Sequence, residues 1–309
     1  MEIFLPIADQ PANVLVLLAL GVAVGFLGAM FGVGGGFLMT PLLVFLGIGP
    51  AVAVASSANY MAASSFSGAL SYWRRRMVDL KLALTLFAGG LLGTFSGVWL
   101  FTKLRALGQL DLLISVSYLV LLTAVGGFML TEGLLAIWRQ RRGGSVIRRR
   151  PGARSWVHGL PFKIRFTQSK IYISAIPVCL IGYLMGALGA IMGFGGGFLL
   201  VPMLIYVLRV PTTTVIGTSN VLTMATMVIA TISHAATSHL VDGVLALFLM
   251  IGGVTGAQFG ARAAQRIPAE RLRFLLGLLV LAVGVRFAVE LLARPDNLFS
   301  IRPAVEVVP

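Results

Sequence analysis

The stretch "GFLGAMFGVGGGFLMTPLLVF" (25–45) returns 161 residues later as "GALGAIMGFGGGFLLVPMLIY" (186–206). Gly25, Gly28, Gly32, Gly34, Gly35, Gly36, Phe37 and Pro41 fall on Gly186, Gly189, Gly193, Gly195, Gly196, Gly197, Phe198 and Pro202. The same offset pairs "SSAN" (56–59) with "GTSN" (217–220), so Asn59 matches Asn220. At an offset of 163, "VDLKLAL" (78–84) matches "VDGVLAL" (241–247), and "GGLLGTFSG" (89–97) matches "GGVTGAQFG" (252–260). The chain is two copies of one unit.

Composition decides the solvent. The chain is 58% hydrophobic and 11% charged, where a soluble protein carries roughly 25% charged residues. Its mean hydropathy is +0.97. Runs such as "NVLVLLALGVAVGFLGAMFG" from Asn13 exceed the ~18 apolar residues that mark a spanning helix. The fold class is therefore an all-α polytopic membrane protein. The start "MEIFLPIADQ" holds Glu2 and Asp9 but no Lys or Arg, so it lacks the basic leader of a signal peptide and the first helix is expected to be retained. A lone cysteine, Cys179, leaves no intramolecular disulfide and no cysteine metal cluster, and packing within a helix is its expected role.

Each copy reads as five apolar segments: 13–32, 37–48, 52–72, 80–102 and 112–137, then 171–193, 198–208, 213–235, 243–264 and 274–292. The second of each set is short. Twelve residues rise only ~18 Å as a helix against a hydrocarbon core of ~30 Å. It is either a half-helix in a re-entrant hairpin or a strongly offset span. The expected architecture is two inverted five-segment repeats, about ten helices including two half-helices. The repeats occupy 1–138 and 171–293, joined by a basic linker at 139–170 and followed by a tail at 294–309.

Five is odd, so the second copy enters the membrane from the opposite side. With the N-terminus outside, inner loops hold Arg74–Arg76, Lys81, the linker, Arg209, Arg262, Arg266, Arg271 and Arg273, which make 19 of the 24 Lys and Arg residues. That bias follows the positive-inside rule and predicts both termini on the periplasmic side of a bacterial inner membrane. It also explains the net charge of +14 as an orienting, lipid-facing feature of the linker; no nucleic-acid partner is expected. Inverted-topology repeats characterise many secondary transporters.

A nucleotide-binding loop does not fit the glycines. No strand precedes them, Phe37 stands where the dinucleotide pattern needs glycine, and no Lys-Ser/Thr follows. Small residues do let membrane helices approach closely, which suits Gly25, Gly28 and Gly32 and their counterparts Gly186, Gly189 and Gly193. Three consecutive glycines go further, because each costs ~1 kcal/mol in a helix interior relative to alanine. They predict an unwound backbone, tolerated at membrane depth where it is buried or lines a cavity. A new helix then starts near Phe37, and another near Phe198, with free amides and a positive dipole end that favour an anion. The candidate site is Gly34, Gly35, Gly36, Phe37, Ser57 and Asn59 with Gly195, Gly196, Gly197, Phe198, Thr218, Ser219 and Asn220. Ser57, Asn59, Thr218, Ser219 and Asn220 supply neutral donors, or else hydrogen-bond neighbouring helices; both readings stand at this level.

Few acids lie mid-membrane, which weighs against a cation pump or proton relay. Asp79 and Asp242 start the fourth segments, as ordinary caps would. Arg286 and Glu290 have the spacing of an ion pair within one helix. Glu132 lies toward the inner end of its helix, where linker arginines are in reach. His234 and His239 are expected near the outer face in loop or packing roles. No metal-ligand spacing, no cofactor motif and no nucleophile with a base is visible, so the chain is not read as an enzyme.

The two glycine motifs, each followed by a helix carrying "SAN" or "TSN", resemble the sulfite exporter TauE/SafE family of bacterial membrane transporters with two homologous halves. The resemblance spans nearly the whole chain apart from the linker and tail. It implies transport of sulfur-containing oxyanions such as sulfite and organosulfonates, with other small organic acids in some members. A separate sulfur-transport family relies on membrane-facing cysteines, and Cys179 lies outside the glycine motifs. The expected function is a secondary transporter that moves sulfite or an organosulfonate outward, by rocking the two repeats about a central site. The alternatives are an ion-coupled uptake carrier for sulfur-containing or carboxylate anions, and an anion channel.

Overall fold

The computed structural model describes residues 2–31, 35–141, 161–166, 168–169, 171–208, 210–263 and 269–292. Gly32, Gly34, Arg209, Arg266, residues 142–160 and the tail lie outside them, as do the side chains of Glu132, Arg271, Arg273 and Glu290.

The first repeat opens on a hairpin of β1 (Glu2–Leu5) and β2 (Gln10–Asn13). It continues through α1 (Val14–Phe31), α2 (Gly36–Phe45), α3 (Pro50–Arg74), α4 (Leu80–Ala106) and α5 (Leu110–Arg141). The second has β3 (Lys163–Phe166) and β4 (Ile171–Ser174), then α6 (Ala175–Met192), α7 (Gly197–Tyr206), α8 (Thr212–Thr237), α9 (Gly243–Ala263) and α10 (Ala269–Leu292). Ten helices in two matching sets of five are thus present among the described residues. Five of them are long and apolar enough to cross a membrane: Leu80–Ala106, Leu110–Leu135, Ala175–Met192, Thr214–Thr237 and Gly243–Gly260. Large apolar side chains such as Leu84, Leu92, Phe95 and Trp99 stand exposed along α4, as lipid contact requires. α3 falls short of the apolar threshold because of its serines, yet Ser56, Ser57, Ser64 and Ser65 are all buried. It is a central helix shielded by the others.

The hairpins correct the reading of 171–193 as one helical segment. Residues 171–174 are a strand paired with Lys163–Phe166, and Ser174 ends it by accepting the Ile176 amide at the start of α6. β1–β2, β3–β4, α1–α6 and α2–α7 all match at the offset of 161. So do the buried anchors Leu5 and Phe166 and the turn-forming acceptors Asn13 and Ser174.

Matching helices run antiparallel, which makes the repeats inverted. Gly68 of α3 lies against Asn220 of α8, and Gly217 of α8 lies against Tyr72 of α3. Gly126 of α5 meets Leu281 of α10, and Gly133 meets Phe274. The tightest packing crosses between repeats. α1 runs parallel to α9, where a Cβ on Gly25 would stand 2.3 Å from the Gly253 carbonyl oxygen and one on Gly256 2.1 Å from that of Val22. α4 runs parallel to α6 in the same manner, with Gly93 2.0 Å from the Tyr183 oxygen and Gly186 2.2 Å from that of Gly90. Backbone meets backbone along both seams, so only glycine fits. Cys179 belongs to this seam and donates to the Thr85 carbonyl at 3.3 Å.

Each hairpin reaches across to the other repeat. The turn of β1–β2 donates the Ile7 amide to Asp242 Oδ2 at 3.0 Å, while Asp242 Oδ1 caps α9 by accepting Val244 and Leu245 at 3.1 Å. The turn of β3–β4 donates the Ser169 amide to Asp79 Oδ2 at 2.9 Å, and Asp79 Oδ1 caps α4 through Leu82 at 3.2 Å. Both carboxylates are buried. The expected caps are there, and each also serves as the landing point of the partner repeat's hairpin.

Candidate functional site

The site is built from two backbone reversals. α1 ends at Phe31, yet Gly35 lies back beside Val24, so the chain doubles over about 10 Å of helix rise. Gly35 has φ 74°, and a Cβ there would stand 2.6 Å from the Val24 carbonyl oxygen; glycine is required by conformation and by space. In the second repeat Gly196 has φ 70° and lies against Met185, the counterpart of Val24, with Gly193 and Gly195 also left-handed. α2 and α7 are therefore short helices of ten residues each, starting back beside α1 and α6.

Their N-termini face each other. Phe37 and Phe198 stack with centroids 4.3 Å apart and planes at 15°, which places the two helix starts on the pseudo-two-fold axis. Neither start has a side-chain cap, so the first amides keep their donor capacity and both positive dipole ends point at the centre. Met61 fills the space between the breaks. Its Sδ lies 2.3 Å from where Gly36 would carry a Cβ, and its Cε lies 2.9 Å from that position on Gly195.

Gly35, Gly36, Phe37, Gly195, Gly196, Gly197 and Phe198 are thus brought together. The polar residues are more dispersed. Ser57 bonds Thr40 Oγ1 at 2.7 Å and also lies within reach of the Val54 and Gly193 carbonyls. Thr40 in turn reaches the Met192 carbonyl at 3.3 Å, and the Tyr118 hydroxyl donates to that same oxygen. These three hydroxyls satisfy the open C-terminal end of α6. Thr218 sits away from the centre, where its Oγ1 accepts the Asp79 amide at 3.1 Å and donates to the Thr214 carbonyl. Ser219 bonds the Ile216 carbonyl at 2.9 Å. Asn220 also donates to Ile216, at 2.9 Å, and lies against Gly68. Asn59 is nine residues from Gly68 along α3, about 13.5 Å of rise, and makes no side-chain hydrogen bond among the described residues. The two asparagines therefore straddle the centre.

Several contributors carry no signal in the glycine motifs. Tyr60 is fully buried, with its ring on Gly253 and its hydroxyl 3.2 Å from the Cβ position of Gly35. Among the described residues that hydroxyl has no hydrogen-bond partner of normal geometry. Thr223 donates to the Gly195 carbonyl at 3.0 Å. His234 is buried, bonded through Nε2 to the Ala190 carbonyl at 2.9 Å and edge-on to Phe101, a packing role. Arg286 lies over the Phe45 ring at 5.3 Å. No cluster of His, Cys, Asp or Glu that would hold a metal occurs among the described residues.

Comparison with known proteins agrees with this geometry. The family model described as "Sulfite exporter TauE/SafE" matches residues 17–287. The chain is 30% identical over 277 residues to a "Probable membrane transporter protein" of Xylella fastidiosa strain 9a5c, covering 88% of this chain and 94% of that one. It is 24% identical over 289 residues to the "Probable membrane transporter protein YunE" of Bacillus subtilis strain 168, covering 89% and 97%. No solved structure matches.

Proposed function

Because the chain belongs to the sulfite exporter TauE/SafE family, we propose that this multi-pass membrane transporter carries a small oxyanion, sulfite or an organosulfonate, outward across the bacterial inner membrane by alternating access. The observation that carries the reading is the opposed pair of uncapped half-helix starts at the Phe37–Phe198 stack. Two positive dipole ends with no carboxylate beside them among the described residues favour a negative ligand. The glycine breaks are its binding elements, and Asn59 and Asn220 are donors on either side. The charge distribution supports both termini in the periplasm. An inside-negative potential favours anion exit by ~2.3 kcal/mol per charge per 100 mV, so export needs no coupling ion.

The packing suggests which bodies move. α1 is locked to α9 and α6 to α4 by backbone contact, so rocking whole sequence repeats would tear both glycine seams. The rigid bodies in this proposal are the exchanged pairs, α1 with α9 and α6 with α4, moving about the Phe37–Phe198 axis.

Flux of labelled sulfite, taurine and carboxylates in proteoliposomes tests the function. Saturable counterflow is expected, reduced in Asn59→Ala and Asn220→Ala. Normal transport by both variants would remove the asparagines from the site. Failure of every anion to move under any gradient would remove the function, and current without saturation or counterflow would make the protein a channel.

A further inference from the structure

Tyr60 breaks the two-fold symmetry at the centre. Its counterpart at the offset of 161 is Val221, so one half-helix start has a phenol beside it and the other an aliphatic side chain. The Tyr60 ring is clamped by Gly253 of α9, where a Cβ would stand 2.1 Å from Cε2. This clamp directs the hydroxyl at the start of α2, 3.2 Å from the Cβ position of the capping residue Gly35. The residue is 0% exposed and, among the described residues, its hydroxyl makes no hydrogen bond of normal geometry, the Ser64 side chain one turn along the same helix being close enough only for a weak interaction. A buried hydroxyl without a partner costs about 1–3 kcal/mol; among the described residues the Ser65, Thr94 and Thr231 hydroxyls are in the same state, and Tyr60 is distinguished by its place beside the start of α2. Tyr118, equally buried, shows the ordinary outcome, since its hydroxyl donates to the Met192 carbonyl.

We propose that the Tyr60 hydroxyl is a substrate-binding donor that, with the first amides of α2, receives an oxygen of the transported oxyanion. The inference rests on the anion-transport reading above and adds the residue that fixes which end of the site holds the charged group. The phenol donates to an anionic oxygen at the positive end of α2, where among the described residues no acceptor holds it in a hydrogen bond of normal geometry. At the α7 end Val221 offers no donor.

The test is Tyr60→Phe, which keeps the ring on Gly253 and removes one oxygen, with Tyr118→Phe as control. Purified proteins are melted without substrate and then assayed for counterflow of labelled sulfite and of taurine. Tyr60→Phe is expected to melt at or above the wild-type temperature, while its half-saturating concentrations rise about ten- to a hundredfold, as losing a bond to a charged group implies. Tyr118→Phe is expected to melt lower, because its hydroxyl does have a partner. A Tyr60→Phe protein that melts lower than wild type overturns the proposal whatever its transport, since the hydroxyl is then bonded within the protein. Unchanged half-saturation for both anions overturns it too, leaving the transport reading intact. If the wild type moves neither sulfite, taurine nor any carboxylate, the transport reading fails and the proposal falls with it.

Discussion

Replacing Asp242 separates two jobs that one carboxylate does. Its Oδ1 accepts the Val244 and Leu245 amides at 3.1 Å, and its Oδ2 accepts the Ile7 amide at 3.0 Å with Ala8 at 3.4 Å. Asp242→Asn keeps one acceptor oxygen, which can still cap α9. The amide group then faces the Ile7 N–H donor to donor, so the hairpin bond is lost. Asp242→Ala loses both. A hydrogen bond to a charged group contributes about 1.5–3 kcal/mol and an N-cap about 1 kcal/mol. The asparagine variant should therefore cost about 2 kcal/mol, and the alanine variant about 3–4 kcal/mol. At roughly 2–4 °C per kcal/mol, thermal melting in detergent should fall by about 4–8 °C and then further. Hydrogen exchange localises the effect: amides of the 6–9 turn should lose protection in both variants, and amides of the first turn of α9 only in Asp242→Ala. The matching Asp79→Asn should release the turn at Ser169 through the same bond, 2.9 Å long. An Asp242→Asn protein that melts with wild type and keeps the 6–9 turn protected would refute the reasoning, because the cross-repeat bond would then contribute nothing.

Gly256→Ala drives a Cβ to 2.1 Å from the Val22 carbonyl oxygen, whereas a Cβ at Gly127 meets nothing within 4 Å. Gly256→Ala should lower the melting temperature by the 1–3 kcal/mol or more of overpacking, while Gly127→Ala should leave it unchanged or raise it through helix propensity; equal effects would mean the seam is not close-packed. Spin labels on the exposed Val16 of α1 and Ile251 of α9 should keep their distance when sulfite is added, and labels on Ile251 and the exposed Leu84 of α4 should not. A first distance that changes along with the second would show that the sequence repeats, not the exchanged pairs, are the moving bodies.

The helical frame is legible in the sequence because hydropathy and the repeat act on long stretches. The segment read at 13–32 is α1 at 14–31, and that read at 198–208 is α7 at 197–206. The glycine breaks are legible for a related reason, since a run such as Gly34, Gly35 and Gly36 has little use inside a continuous helix. The hairpins are not. "EIFL" and "KIRF" share only Ile3 with Ile164 at the repeat offset, and four-residue strands leave no periodicity to read; their anchors are single buried residues, Leu5 and Phe166. Which helices pair is also hidden. "GGLLGTFSG" and "GGVTGAQFG" announce a small-residue face, but nothing in them says that α4 packs on α6 and α9 on α1 rather than each within its own repeat. The polar residues mislead for another reason. Ser57, Thr218 and Ser219 have the composition of a site, but backbone groups compete for the same hydroxyls: the Gly193 carbonyl at a helix break for Ser57, the Asp79 amide at a helix start for Thr218, and the Ile216 carbonyl within its own helix for Ser219.

The symmetry of the frame and the asymmetry of its lining have different origins. Hairpins, capping aspartates, glycine breaks and both seams recur in the two repeats because each solves a backbone problem that the inverted copy meets again. The side chains at the breaks do not recur. Thr40 and Tyr60 correspond to Val201 and Val221, and the Thr40, Ser57 and Tyr118 hydroxyls gather at the end of α6. A two-fold frame by itself treats both directions across the membrane alike, since turning it over returns the same backbone. Any preference in how a bound anion is oriented has to come from the residues that break the symmetry. Tyr60 is among those residues, beside the start of α2, with a hydroxyl that has no hydrogen-bond partner of normal geometry among the described residues.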